Sequence, residues 1–423
     1  MPPIEVLPTK VPTISSPADS LLIDDSVLTD ADAPMLPDYS GAGLCNVMPS
    51  VAASVGASGY DNTLGLPDTE RVCVMLIDGL GATGVAGHEA DAPTLAALLR
   101  GSYADFEVRS RQLTAGFPST TGASLASIGT GLPPSRHGLV GYRVLIPERG
   151  RLMSLLQWDD AVDPAIWQPH PTIFERLAEA GIATAHVASP DFAESGLTRA
   201  AFRGARYLGA LTPGELIATS AEALREADAR IVFSYYPDLD KTGHGHGVDS
   251  AAWRHQLAVV DRMVERLIAE LPPGTTLVIT ADHGMVDVEP DEKLDLEATT
   301  LFDGMALPDG MALLDGVALL GGEARARHVY TKPGAAPDVL AAWRHQLADQ
   351  AWVVSREQAI DQNWFGPAMR ADVVARVGDV VAAARAHAAL VATSAEPRQS
   401  VLRGMHGSLT PAEQLVPLVT VQR

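Results

Sequence analysis

Three carboxylates and three imidazoles stand just after apolar runs in this sequence. Asp78 follows the run from Arg71 to Ile77, Asp240 and His244 follow Ile231 to Tyr236, Asp282 and His283 follow Thr275 to Ala281, and His406 lies in the loop Gly404-Met405-His406-Gly407. In an open parallel sheet ligands bind beyond the carboxyl ends of the strands, so these residues are expected on one edge. Oxygen and imidazole donors in equal number suit two divalent ions such as Zn²⁺ or Mn²⁺, and no thiolate is offered that would select an Fe–S or blue-copper site. Split three and three, they leave each ion an open position for a substrate or nucleophile. The spacing of Asp240 and His244 puts both on one side of a helical turn or tight loop, and the adjacent pair Asp282 and His283 can serve neighbouring ions. Asp238 is an alternative to Asp240, and His246 could chelate beside His244 but is read as a neighbour at the pocket rim.

A second stretch offers a nucleophile. Phe117-Pro118-Ser119-Thr120-Thr121-Gly122-Ala123-Ser124, continuing to Thr130-Gly131, reads as a loop running into a helix. A hydroxyl at such a helix start sits among N–H groups that lack intrahelical partners and stabilise an alkoxide or a phosphoryl group. A neighbouring cation would complete its activation. Thr120 and Thr121 also fit an N-cap, a role compatible with catalysis. His88, His137, His170, His186, His255, His328, His345 and His387 read as core or surface residues. Asp287 and Asp291 read as caps or solvent-facing groups. Trp158, Trp167, Trp364 and Phe365 read as core in preference to a base pocket.

Alternating elements must carry these groups. The runs Arg71 to Ile77, Ile182 to Ser189, Ile231 to Tyr236 and Thr275 to Ala281 have strand length and are mostly apolar without a polar alternation, as expected of strands buried on both faces. Between them lie helical patterns, the clearest from Ala251 to Leu271, where Trp253, Leu257, Val260, Val264, Leu267 and Leu271 recur at three- and four-residue steps behind an Asp249-Ser250 cap. Strand, loop and helix in repetition predict an α/β fold with a mostly parallel sheet. Residues 1–68, rich in Pro, Ser, Asp and Gly, with short apolar patches such as Ser20-Leu21-Leu22-Ile23, are expected to form an irregular N-terminal arm. Residues 69–290 are expected to form the catalytic core, 291–400 a smaller inserted cap of short strands and two helices, and 401–423 a return to the core ending in a strand from Leu415 to Val421.

The chain has 423 residues, 47% apolar and 20% charged, which excludes wholesale disorder. Its 31 basic and 52 acidic residues give a net charge of −21, which disfavours a nucleic-acid polymer as partner. A phosphate ligand would need local cations or metal. Cys45 and Cys73 are too few for a disulfide framework. No window reaches 18 uninterrupted apolar residues and the first twenty residues lack a basic start with an apolar stretch behind it, so a soluble cytoplasmic protein without a membrane partner is expected. Oligomeric state carries no signal.

Five segments, in this order, resemble the type I phosphodiesterase and nucleotide pyrophosphatase branch of the alkaline phosphatase superfamily. They are Leu76-Ile77-Asp78-Gly79; Thr121 with Thr130-Gly131 and Arg136-His137-Gly138; Asp240-Lys241-Thr242-Gly243-His244; Thr280-Ala281-Asp282-His283-Gly284-Met285; and Gly404-Met405-His406-Gly407. The likeness covers most of residues 70–290 and the end near 406. It implies an alkaline-phosphatase-like three-layer sandwich with an inserted cap. Asp240, His244 and His406 would hold one ion, and Asp78, Thr121, Asp282 and His283 the other. Thr121, ten residues before Gly131, would be the nucleophile, with Thr120 as the fallback.

The resemblance further implies hydrolysis of phosphodiester or pyrophosphate bonds in a small nucleotide. Similar actinobacterial members include a cytoplasmic group that hydrolyses cyclic di-AMP, which makes that compound the leading substrate expectation. Nucleotide-cleaving members often carry an aromatic-Pro-Asn after the nucleophile and an Asn near the His-Gly motif. Here Gly122-Ala123-Ser124 and Tyr142 stand instead, so Tyr142 or Arg143 is expected to contact the phosphate. The same metal core also supports a phosphomonoesterase or phosphonate hydrolase. A metal-loaded binding or sensor protein is the non-enzymatic alternative.

Overall fold

The structure, a computed structural model, describes residues 33–226, 229–298 and 312–422, so the apolar patch at residues 20–23 lies outside the described residues. In chain order the central sheet takes β1 (Arg71–Ile77), β2 (Glu107–Thr114), β3 (Ala183–Ala188), β4 (Arg206–Gly209), β5 (Ala229–Tyr236) and β6 (Thr275–Thr280). A second group follows, β7 (Val317–Glu323), β8 (Ala326–Thr331), β9 (Ala351–Ser355) and β10 (Val380–Ala384), before the last long strand, β11 (Leu415–Gln422). The central sheet has seven strands in the order β2-β11-β6-β1-β5-β3-β4. Its middle strand β1 runs parallel to both β5 and β6, while β11 is antiparallel to β6 and β2. The mostly apolar runs take the interior positions, where both faces are covered. β2 alternates exposed and half-buried residues, as an edge strand does.

The register sets the carboxyl ends side by side: Ile77 faces Tyr236 and Leu76 faces Thr280. The residues that follow these three strands therefore start within one strand spacing of each other, about 4.8 Å. The helix Ala251–Glu270 covers the sheet with Trp253, Leu257, Val260, Val264 and Leu267 buried, and the Ser250 hydroxyl accepts from the Trp253 N–H.

Residues 33–68 are more regular than their composition suggests. Val47–Ser54 is a helix whose Val47, Met48, Val51 and Ala52 lie in the main core. Pro49 falls in the first turn of this helix, where its missing N–H has no intrahelical partner to lose.

Strands β7 to β10 form an antiparallel sheet in the order β7-β8-β10-β9. Val329, Trp343, Val353, Val380 and Leu390 pack in a cluster of their own, while Ala326, Val354, Trp364, Phe365, Val381 and Ala383 join the main core. The smaller sheet thus shares the main core with the larger one. A further tie is buried and ionic. Arg325, in the two-residue β7–β8 turn, donates Nε (3.1 Å) and Nη2 (2.6 Å) to the two carboxylate oxygens of Glu413, and both side chains are fully buried. Glu413 also accepts the Ser408 N–H and the Thr410 hydroxyl, which links the turn to the segment carrying His406. Arg325→Met leaves that carboxylate buried without its cation and is expected to lower stability by about 3–5 kcal/mol. Chemical denaturation measures it; a loss below about 1 kcal/mol would mean that Glu413 finds other compensation.

Candidate active site

Asp78 directly follows β1 and Asp282 lies two residues beyond β6. The helix Asp238–His246 starts beyond β5, and His406 comes from the final loop. Close approach of these elements depends on small residues. Gly79 has φ +73°, and a Cβ there would stand 2.9 Å from Asp240 Cβ. The helix Thr121–Thr130, buried along its whole length, closes the other side, held by the Ser124 hydroxyl on the Asp282 carbonyl (2.8 Å).

Every histidine in the cluster has Nδ1 committed to a backbone carbonyl: His244 to Gly404 (2.7 Å), His283 to Gly284 (3.0 Å) and His406 to Ser119 (2.9 Å). With Nδ1 as donor to the backbone, Nε2 is the nitrogen each ring turns inward. The carboxylates are divided in the same way. Tyr235 donates its hydroxyl to Asp78 Oδ2. Asp282 Oδ1 accepts the N–H groups of Gly79 and His283, both at 3.1 Å. Asp240 Oδ2 lies 3.3 Å from His244 Nε2. Asp78 Oδ1, Asp240 Oδ1 and Asp282 Oδ2 are left buried without a hydrogen-bond partner among the described residues.

These free atoms face each other. His283 Nε2 lies 3.5 Å from both Asp78 Oδ1 and Asp282 Oδ2, and His406 Nε2 lies 3.8 Å from Asp240 Oδ1. Two groups have donor atoms within 4.8 Å of one another: Asp240 with His283 and His406, and Asp78 with Asp282 and His283. Ligands at about 2.1 Å from one ion stand about 3.4–4.2 Å apart, so each group is close to the size an ion requires. His283 belongs to both groups.

The electrostatics call for positive charge. Burial, then the neighbouring Asp282 and Asp240, push Asp78 well above the usual carboxylate range. Burial also raises Asp282. On Asp240 burial acts in the same direction, but His244 outweighs it and holds the group low. Burial opposes charge on His244, yet Asp240 raises it to about 9. His406 is driven well below its ordinary value by burial and then by His283, whose ring stacks on it at 3.6 Å between centroids. Unpartnered carboxylate oxygens and inward imidazole nitrogens form a donor set that fits divalent cations.

Thr121 opens its helix, with Oγ1 3.3 Å from His283 Nε2. Thr120 holds the N-cap position, but its side chain makes no capping bond and donates instead to Glu323 Oε2 (3.5 Å). The seven residues singled out in the sequence as ligands and nucleophile therefore meet in one cluster. Tyr142 is half-buried. Arg143 turns Nη1 to Glu396 (2.5 Å), which Arg327 shares at 2.8 Å. His246 is exposed, and Asp238 offers its carbonyl to the Thr242 hydroxyl (2.6 Å). His137 bonds Ser127, and His328 sits between the Val140 carbonyl and the Gly378 N–H.

Two residues of the cluster went unread in the sequence. Glu323, at the end of β7, lies 3.8 Å from His406 Nδ1, and burial pushes its carboxyl up to about 8. Its only signal is a charge closing a Gly-rich apolar run. Tyr235 looks like one more apolar strand residue. Burial, then Asp78, raise its phenol well above the ordinary value, so it stays a donor and keeps Asp78 Oδ1 turned toward His283. Tyr235→Phe is expected to weaken cation binding by about 10- to 100-fold with the fold retained. Competitive chelator titration beside circular dichroism measures this; unchanged affinity would show that Asp78 holds its orientation without the phenol.

The sequence model of the type I phosphodiesterase/nucleotide pyrophosphatase family matches residues 72–409. A phosphopentomutase of Anaeromyxobacter dehalogenans (strain 2CP-C) is 33% identical over 127 residues, 30% of this chain and 30% of that protein. One of Rhizobium meliloti (strain 1021) is 32% identical over 126 residues, 29% of each. The chain thus spans about three-tenths of the length of these curated relatives. Among solved structures, murine ectonucleotide pyrophosphatase/phosphodiesterase 5 in complex with AMP superposes with a TM-score of 0.64 at 20% identity, covering 83% of this chain and 87% of that one. Phosphonoacetate hydrolase from Sinorhizobium meliloti 1021, in complex with phosphonoacetate, gives 0.60 at 20% identity, over 83% and 89%. Both have this fold. No helix among the described residues is long and apolar enough to cross a membrane.

Proposed function

This chain belongs to the type I phosphodiesterase/nucleotide pyrophosphatase family, metal-dependent hydrolases of phosphoester bonds, and we propose that it cleaves a phosphodiester or pyrophosphate bond in a cytoplasmic nucleotide, with cyclic di-AMP as the leading substrate. The observation that carries this reading is the set of buried, unpartnered carboxylate oxygens facing inward imidazole nitrogens beside the Thr121 hydroxyl.

In this reading Asp240, His244 and His406 hold one divalent ion, and Asp78, Thr121, Asp282 and His283 the other, with Zn²⁺ or Mn²⁺ as the ion. When bound, the cations neutralise charge on the attacking and leaving oxygens and let a chain of net charge −21 accept an anion. Thr121 Oγ1 attacks phosphorus in line, the bond to the leaving oxygen breaks, and a phosphoester on Thr121 remains. The first-turn N–H groups of the Thr121–Thr130 helix lie where the phosphoryl oxygens gather charge. Water then displaces Thr121 from phosphorus and regenerates its hydroxyl.

The test compares bis-p-nitrophenyl phosphate, p-nitrophenyl phosphate, phosphonoacetate and cyclic di-AMP, with added Mn²⁺ or Zn²⁺ and in excess chelator. Diester turnover that yields pApA or AMP from cyclic di-AMP and stops on chelation is expected. A strong preference for the monoester, or turnover of phosphonoacetate alone, would replace this reading with phosphomonoester or phosphonate hydrolysis. Persistence in excess chelator would remove the cations from it.

A further inference from the structure

We propose, resting on the diester reading above, that Glu323 selects the leaving group by hydrogen-bonding a hydroxyl on the carbon next to the leaving oxygen, so that ribonucleotide 3′-esters are cleaved in preference to their 2′-deoxy counterparts. The argument starts from which side of the site is which. Thr121 stands on the His283 side, 3.3 Å from Nε2. In an in-line displacement the departing oxygen lies opposite the attacking one, here toward Asp240, His244 and His406. Glu323 borders that second group at the Nδ1 edge of His406. Its Oε2 is 3.8 Å from His406 Nδ1, and the two segments pass so closely that a Cβ on Gly407 would stand 2.9 Å from Glu323 Cδ.

The carboxylate is held in place and half satisfied. Oε2 takes the Thr120 hydroxyl, while Oε1 is buried and has no hydrogen-bond partner among the described residues. Buried polar atoms rarely stay unpaired, and one left so beside a reaction centre points to a partner on the ligand. The β7–β8 turn that carries Glu323 is fastened by the buried Arg325–Glu413 pair, so the oxygen has little freedom to find another partner. A hydroxyl suits it in either protonation state, since a hydroxyl both donates and accepts. When a 3′,5′-diester is cut to leave phosphate on the 5′ side, the departing atom is a ribose 3′-oxygen and its neighbouring carbon bears the 2′-hydroxyl.

The experiment measures kcat/KM of the metal-loaded enzyme on cyclic di-AMP, its 2′-deoxy analogue and its 2′-O-methyl analogue, with the position of the phosphate in the product checked by mass spectrometry and chromatography. Wild type is expected to prefer the ribose form over both analogues by about 10- to 100-fold. In Glu323→Leu that ratio is expected to fall to within about threefold of one, and in Glu323→Gln, which keeps an acceptor oxygen, to lie between. The ratio is internal to each variant, so a general loss of activity does not mimic the result, and the wild-type comparison needs no variant to fold. Diester turnover without discrimination at the 2′ position, or a ratio unchanged in Glu323→Leu, would overturn the role of Glu323 alone. Absence of turnover on these compounds and on bis-p-nitrophenyl phosphate would instead overturn the diester reading on which it rests.

Discussion

Thr121→Ala is expected to lower diester turnover by about 10⁴- to 10⁶-fold, the range found when a covalent nucleophile is removed, whereas Thr120→Ala is expected to cost less than about 100-fold. The two hydroxyls are adjacent in sequence but differ in surroundings. Thr121 is the first residue of the helix, and its Oγ1 faces His283 Nε2 at 3.3 Å. Thr120 turns its hydroxyl to Glu323. Thr121→Ser keeps an oxygen at the same place and is expected to recover most of the lost rate, whereas Thr121→Ala should fold and bind cations with little change in the other ligands. Steady-state rates on bis-p-nitrophenyl phosphate decide it. The reverse order of effects would make Thr120 the nucleophile and would require its side chain to leave Glu323.

Asp240→Ala is expected to lower the bound divalent cation from two equivalents to one and turnover by at least about 10³-fold, the scale of several kcal/mol of lost charge stabilisation. This carboxylate is placed to serve two imidazoles at once, with Oδ2 3.3 Å from His244 Nε2 and Oδ1 3.8 Å from His406 Nε2. Asp282→Ala is expected to remove the other equivalent, since Asp282 Oδ2 faces His283 with no other partner. Elemental analysis after gel filtration gives the stoichiometry, and circular dichroism shows whether the fold persists. Two equivalents retained in Asp240→Ala would indicate that another carboxylate, Asp238 being the nearest in sequence, completes the set.

Much of the fold could be read from the chain because buried parallel strands leave a strong mark. The apolar runs ending at Ile77, Tyr236 and Thr280 are the three adjacent strands β1, β5 and β6, and the polar residues after them fall together because register forces it. The helix expected over 251–271 spans Ala251–Glu270, since a long amphipathic face with a serine cap has few competing readings. Short elements were harder. The Val47–Ser54 helix hides behind Pro49, which marks a breaker in most positions but not in a first turn. Glu323 and Tyr235 were illegible for another reason. Each reaches the cluster through tertiary packing, one from the smaller sheet and one from the flank of a central strand, and neither has a fixed sequence distance to the residue it touches. Arg143, picked out by its place near the His137-Gly138 pair, turns Nη1 to Glu396, a partner 253 residues away that no local pattern announces.

The most direct measurement is anomalous diffraction from crystals of the Zn²⁺-loaded enzyme, recorded on both sides of the zinc edge. Two peaks are expected inside the cluster, one contacted by Asp240, His244 and His406 and the other by Asp78, Thr121, Asp282 and His283. A single peak, or zinc bound away from these seven side chains in an enzyme that still turns over diesters, would contradict the two-cation site.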